Sequence, residues 1–209
     1  MDKVTVILTS CDRFDLLERT LDSFFSLNQY PIKAFHVHND SVNPIPFCLI
    51  NKYHQITWHS GVKRGLSGAI DYLITLVDTE YFFTMEDDWL FENNPNFIAE
   101  SIAIIKHTNC NQVWIRKESD TPHQMGTDVL DFNGIKYKII PVWNGWCGFS
   151  FNPTVRRKSD WKNMFPNGIA NTDEKVLNDM VIGSYKACIL ANHTVRHIGY
   201  SRHTHKFKI

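Results

Sequence analysis

Tyr81-Phe82-Phe83-Thr84-Met85-Glu86-Asp87-Asp88-Trp89 is the stretch on which the fold turns. Its first five residues are apolar or β-branched, the pattern of a strand buried on both faces. The run then meets three acids in succession. Open α/β sheets bind their ligands outside the carboxyl ends of the strands, which is where these acids fall. Adjacent carboxylates repel one another, at a cost unless a cation offsets the charge. Hard divalent ions, Mn2+ or Mg2+, take oxygen ligands, and a nucleotide diphosphate can complete their shell. The plain alternative is a solvated acidic turn.

Working outward, the same alternation recurs. Residues 4–9 are a short β-branched run, read as a buried first strand. Asp12 follows in the position of a helix N-cap, and Phe14, Leu17, Leu21, Phe24 and Phe25 recur at helical spacing. Residues 34–38 and 56–59 read as the second and third strands. Leu66, Ile70, Leu73, Ile74 and Val77 mark a helical face after a loop over 61–68, and residues 97–105 form another helix. The second half is less regular. Residues 112–116, 135–140, 146–151, 187–191 and 194–198 are predicted strands, and 155–164 and 173–182 predicted helices. Strand alternating with helix predicts an α/β fold with a mixed central sheet flanked by helices, in one domain over residues 1–209.

Composition narrows the function. The chain has 209 residues, 43% of them hydrophobic, and its 22 basic and 22 acidic side chains cancel. A neutral chain is not a nucleic-acid binder that works through its overall field. No apolar run approaches the ~20 residues of a spanning helix, so no transmembrane segment is expected. Five scattered cysteines without a CxxC pair read as free thiols, and with no apolar leader at the start the expectation is a cytoplasmic chain, in the host cytoplasm if its source is viral.

Several further clusters carry chemistry. Thr9-Ser10-Cys11-Asp12-Arg13 joins a strand to a helix whose N-terminus attracts anions, but it lacks the glycines of GxGxxG and the GK[ST] of a P-loop. Asp40, ending the second strand, is placed to accept from a base or ribose, or is a turn residue. Lys63 and Arg64 precede a helix within Lys63-Arg64-Gly65-Leu66-Ser67-Gly68 and suit a diphosphate, or a solvated basic loop. Trp143-Asn144-Gly145-Trp146 offers aromatic faces for sugars, or a core strand. Asp173-Glu174 opens a helix, where acids are favoured by the dipole alone. His197-Ile198-Gly199-Tyr200-Ser201-Arg202 follows a β-branched run, and imidazole is a common metal ligand.

Taken in order, these pieces resemble the GT-A glycosyltransferases, in particular family-2-like enzymes, and fit a minimal viral member. The opening strand with Thr9, Ser10 and Arg13 looks like that family's first strand and turn. Asp40 matches the acid at the uracil or ribose. Glu86-Asp87-Asp88 looks like the DxD motif with Glu in first place. The resemblance implies a Rossmann-like GT-A domain, with residues of about 1–90 as the nucleotide-binding half and about 91–209 as the acceptor-binding half. It also implies transfer from a UDP-sugar to a glycan or other hydroxyl acceptor, with inversion. By the same likeness Asp88 and His197 hold the metal, and Glu86 and Asp87 serve the nucleotide sugar together with Lys63, Arg64, Trp146 and Arg202. Asp173 or Glu174 is the catalytic base, Asp173 being favoured. Two other readings stand beside this one: a non-catalytic glycan-binding module, and a sugar nucleotidyltransferase, which would want a glycine-rich first turn.

Overall fold

The computed structural model describes residues 3–120 and 128–200. The first half runs β1 (Val4–Ser10), α1 (Phe14–Leu27), β2 (Ile32–Asn39), α2 (Phe47–Lys52), β3 (Thr57–His59), α3 (Gly65–Leu76), β4 (Tyr81–Glu86), β5 (Trp89–Phe91) and α4 (Phe97–Thr108). The second runs β6 (Gln112–Trp114), a 3-10 turn (Glu118–Asp120), β7 (Leu130–Phe132), β8 (Ile135–Ile140), β9 (Thr154–Arg157), α5 (Lys158–Met164), α6 (Glu174–Val181), β10 (Ala187–Leu190) and β11 (Val195–His197).

Nine strands form one sheet in the order β3-β2-β1-β4-β9-β6-β10-β8-β7, and β11 pairs with β5 in a small second sheet. Strands β3, β2, β1 and β4 are parallel, and β9 lies antiparallel between β4 and β6. The chain leaves β1 toward β2 on one side and returns through α3 to β4 on the other. The carboxyl ends of β1 and β4 therefore flank a topological switch point, where an α/β sheet opens a crevice.

Period-two alternation in β1 sorts the core into two layers. Val4, Val6 and Leu8 face α1 and α4, in a cluster with Leu17, Leu21, Phe24, Phe83 and Phe97. Ile7 faces the other way, toward Ile70, Leu73, Phe82, Phe149, Trp161 and Leu177 of the second cluster. Phe24 is the hub of the first layer, its ring centroid 5.1 Å from Phe91, 5.4 Å from Phe35 and 6.0 Å from Phe83.

Several sequence-based expectations change. Asp12 is not a cap: it sits at φ 57°, α1 starts two residues later without a side-chain cap, and its carboxylate accepts from Ser41 and, at 2.6 Å, from Asn43 Nδ2. A short acid tolerates the left-handed region, and the loop after β2 supplies donors closer than the helix does. Residues 155–157, expected as helix, belong to β9, because the slot between β4 and β6 pairs both edges of that strand. Residues 146–151, expected as strand, are irregular. There Trp143 and Trp146 exchange two hydrogen bonds of 2.9 Å around Asn144 and Gly145, both at positive φ. Gly148, at φ 89°, packs so closely that an added Cβ would lie 2.7 Å from that of Ala187. Strands β5 and β7 and helix α2 were not foreseen, being too short to show a period.

The layered core predicts where stability resides. Phe24→Ala is expected to lower the unfolding free energy by about 3–5 kcal/mol in urea titrations, the usual cost of deleting a buried aromatic. Phe47→Ala, at a side chain 73% exposed, is expected to change it by less than about 0.5 kcal/mol.

Candidate functional site

The crevice at the switch point is lined by Thr9, Ser10, Cys11 and Arg13 from the end of β1, Asp40 from the end of β2, Lys63 and Gly65 from the loop before α3, and Glu86 from the end of β4. It adjoins at Leu66 a larger cleft of about 970 Å³, walled by Trp146, Phe151, Asn171, Asp173 and Glu174. Most of the residues singled out in the sequence thus converge, although they span the chain from residue 9 to 174. Arg202 lies outside the described residues.

The acid run is sorted by burial. Asp87 is fully buried and accepts from Ser10 Oγ at 2.8 Å, from Cys11 N at 3.2 Å and from Arg13. Its backbone carbonyl takes the Thr20 hydroxyl at 2.9 Å, and that hydroxyl accepts from Trp89 N at 3.1 Å. Asp87 therefore fastens the first turn of the chain to the acid run. Arg13 bridges two carboxylates, Nη2 donating to Asp87 Oδ1 and Nη1 to Asp88 Oδ2 at 2.5 Å. Glu86 is half-buried at the floor of the crevice. Burial, and then the charges of Asp88, Asp87 and Glu174, push its carboxyl up to about 8, with Arg13 opposing.

Asp88 faces His197, whose Nε2 lies 3.1 Å from Asp88 Oδ2. Burial works to raise the Asp88 carboxyl, but His197 and Arg13 outweigh it and hold it below the usual carboxylate range. Strand pairing produces this meeting: β11 runs antiparallel to β5 with His197 opposite Trp89, and Ile198 N donates to Asp88 O at 2.9 Å. Gly199 completes the cradle, since a Cβ there would fall into the Asp88 carboxylate. Asp88 Oδ1 is buried without a hydrogen-bond partner. A carboxylate with one free oxygen beside an imidazole is a donor pair that fits a divalent ion. Among the described residues no group of three such side chains is assembled, so the remaining ligands would have to be diphosphate oxygens and water.

The nucleotide-side residues are already engaged. Asp40 accepts from the backbone N–H of Arg64 and, at 3.0 Å, of Gly65, so it orders the start of α3. Buried His38 places Nε2 3.7 Å from Asp40 Oδ1. The Arg64 guanidinium lies 4.4 Å over the Tyr72 ring at the rim. Trp146 donates Nε1–H to Phe149 O at 3.1 Å and packs 5.2 Å from Trp114.

The two acids opening α6 part company. Asp173 is exposed and is the N-cap, its Oδ1 accepting from Val176 N at 2.8 Å. Glu174 is half-buried, and its Oε2 accepts from Phe151 N at 3.0 Å. Burial raises its carboxyl above the ordinary Glu value, with the Phe151 N–H and the charges of Arg156 and Arg116 opposing.

Three side chains escaped the sequence reading. Arg116 is 8% exposed, stacks 4.5 Å over Trp114 and feels Glu174 and Glu86. Arg156 is buried on β9. Asn178, also buried, binds Cys147 N and Gly145 O, pinning the tryptophan loop to α6. Asn178 alone left a signal, a polar residue beside Leu177 on the inner face of a helix. Arg156 sits in a short strand and Arg116 at an isolated bridge to Val195, and the neighbours of both in space are remote in sequence.

The sequence matches no protein-family model and no curated protein. Solved structures do share the architecture. TarS 1-349 from S. aureus in complex with UDP-GlcNAc superposes with a TM-score of 0.67 over 96% of this chain and 61% of that one, at 12% identity. Its complex with UDP gives 0.68 over 92% and 59%, also at 12%. The mannosyltransferase PcManGT from Pyrobaculum calidifontis, in complex with GDP-Man and Mn2+, gives 0.59 over 91% and 57%, at 14%. The chain spans about three-fifths of the length of these neighbours. Its nine-stranded mixed sheet, the crevice at the switch point and these superpositions together give it the GT-A fold of glycosyltransferases.

Proposed function

We propose that this chain is a glycosyltransferase that uses a divalent cation, Mn2+ or Mg2+, to move a sugar from a UDP-sugar to the hydroxyl of a glycan or similar acceptor, with inversion. The carrying observation is the pair Asp88–His197, joined to the crevice through Arg13, with the half-buried carboxylate Glu174 bordering the adjoining cleft. The nucleotide ligands of the structural neighbours support a nucleotide-sugar donor.

In this reading residues 1–90 form the donor side. Thr9, Ser10, Asp40 and the loop carrying Lys63 and Arg64 surround the nucleotide, and the two cations balance its phosphates. Asp88 and His197 would hold the metal, which when bound would offset charge on the departing diphosphate. Arg13 keeps Asp87 and Asp88 in place as anions. Residues 91–209 form the acceptor side, with Trp146 offering a face to a sugar. The acceptor oxygen attacks the anomeric carbon, the bond to the diphosphate breaks, and the acceptor proton passes to a carboxylate. We assign that carboxylate to Glu174 rather than Asp173. Asp173 Oδ1 is committed to the N-terminus of α6 and its side chain is exposed, whereas Glu174 is half-buried, with Oε2 on Phe151 N and the charges of Glu86 and Arg116 acting on it. No described helix is long and apolar enough to cross a membrane.

Three results test this reading. Asp88→Asn is expected to abolish Mn2+-dependent UDP binding in calorimetry with the circular dichroism unchanged. His197→Ala is expected to weaken it about 10–100-fold, the worth of one charge-assisted bond. Unchanged metal-dependent affinity in the Asn variant removes the metal from Asp88.

Glu174→Gln is expected to cut transfer about 10²–10⁴-fold, the range for a positioned base, while UDP affinity stays within a few-fold. Asp173→Asn is expected to lose at most about 1 kcal/mol of stability with its cap and little transfer. The reverse pattern moves the base by one residue, and normal transfer in both variants excludes the pair.

A base acts only when ionised, so transfer is expected to rise with pH through the Glu174 midpoint. That midpoint lies above the 4.5 of an ordinary Glu because burial raises it. A pH–rate profile flat down to pH 4.5 contradicts the assignment.

A further inference from the structure

Glu174 as a base presents a physical problem, since burial favours its protonated form. Behind it lies an unusual cation. Arg156 is 1% exposed, yet among the described residues no carboxylate pairs with it directly. Its partners are neutral: Nη1 donates to Thr84 Oγ1 at 2.8 Å, and Nη2 to Gln112 Oε1 at 2.9 Å and to the Ser150 carbonyl. Gln112 in turn accepts from Tyr185. A guanidinium buried among neutral acceptors and the rings of Phe149 and Trp161, 5.7 and 5.3 Å away, is expensive to desolvate. A charge retained there calls for a counter-charge.

The Ser150 carbonyl and the Phe151 N–H belong to one peptide group. Arg156 donates to its oxygen, and its N–H donates to Glu174 Oε2 at 3.0 Å. A cation on the carbonyl polarises the peptide and strengthens its N–H as a donor, and an anion on the N–H does the reciprocal.

We propose that Arg156 is a positioning residue that holds Glu174 ionised and oriented through the peptide bond joining Ser150 to Phe151, an ion pair made across one backbone amide. The proposal rests on the reading of Glu174 as the base. It accounts for an arginine at the centre of the sheet and for the way β9 departs from a helix: only as a strand between β4 and β6 does residue 156 stand opposite Phe82 and Gln112, with the Thr84 hydroxyl in reach of its guanidinium. Other charges facing Glu174 are Arg116, which supports the ionised form, and Glu86, which opposes it. Its chain neighbours Asp173 and Lys175 are exposed.

The test is the titration of Glu174 itself, read by carbon NMR on full-length protein labelled at the Glu carboxyl carbons, with its signal identified by loss in Glu174→Gln. In the wild type it is expected to be ionised at pH 7. Arg156→Met and Arg156→Gln remove the charge, the second keeping a donor for Ser150. Both are expected to raise the midpoint by about one pH unit or more, the effect of removing a nearby opposite charge, and to move the acid limb of the pH–rate profile with it. Arg156→Lys is expected to restore at least half of that shift. An unmoved midpoint in a folded neutral variant overturns the proposal. If neither neutral variant folds, a wild-type Glu174 found protonated at pH 7 overturns it, and one found ionised supports it. Full transfer by Glu174→Gln would sink the base assignment alone, because the midpoint of Glu174 still reports on Arg156.

Discussion

The buried carboxylate of Asp87 is the constraint on which the site depends. It has no access to water, so every lone pair needs a donor from the protein. Ser10, Cys11 N and Arg13 supply them, all from the end of β1 and the turn after it. Breaking such a pair costs about 3–5 kcal/mol, far more than the intact pair contributes, because it leaves a charge alone in the core. Register between β1 and β4 is thereby locked at their carboxyl ends, and the crevice between them acquires a defined shape.

The arrangement of the acid run follows from that lock. With Asp87 turned inward, chain geometry leaves Glu86 on the crevice floor and Asp88 toward β11. Asp88 then needs a neighbour, and the hydrogen bond from Ile198 N brings His197 to it. Gly199 is required by the same approach, for a side chain there would displace the carboxylate. Three consecutive acids thus have three different environments, one buried and paired with Arg13, one facing an imidazole, and one whose carboxyl is pushed up by burial and by its acidic neighbours.

The second half is organised by β9. An antiparallel strand inserted between β4 and β6 carries Arg156 into the sheet and turns the preceding loop toward α6. Asn178 fixes the tryptophan turn of that loop, and Glu174 fixes Phe151. The wall of the larger cleft is therefore built of backbone held by side chains, which explains why a stretch rich in aromatic residues is not a strand.

Much was legible in the chain itself. The β-branched runs of β1, β2 and β4, the apolar periods of α1, α3 and α4, and the polar residues at strand ends suffice to place a crevice at the carboxyl edge of a parallel sheet, because period and burial are local properties. The family resemblance also marked Asp88 and His197 as a candidate pair. Tertiary structure alone decided which acid of each cluster points inward. Asp87 is consumed by Arg13, Asp40 by the start of α3, and Asp173 by its own helix, while Glu174 is half-buried at the cleft wall with Oε2 on Phe151 N. Neighbouring acids have the same chemistry, and they differ only in the donors that a folded chain brings to them from residues far away in sequence.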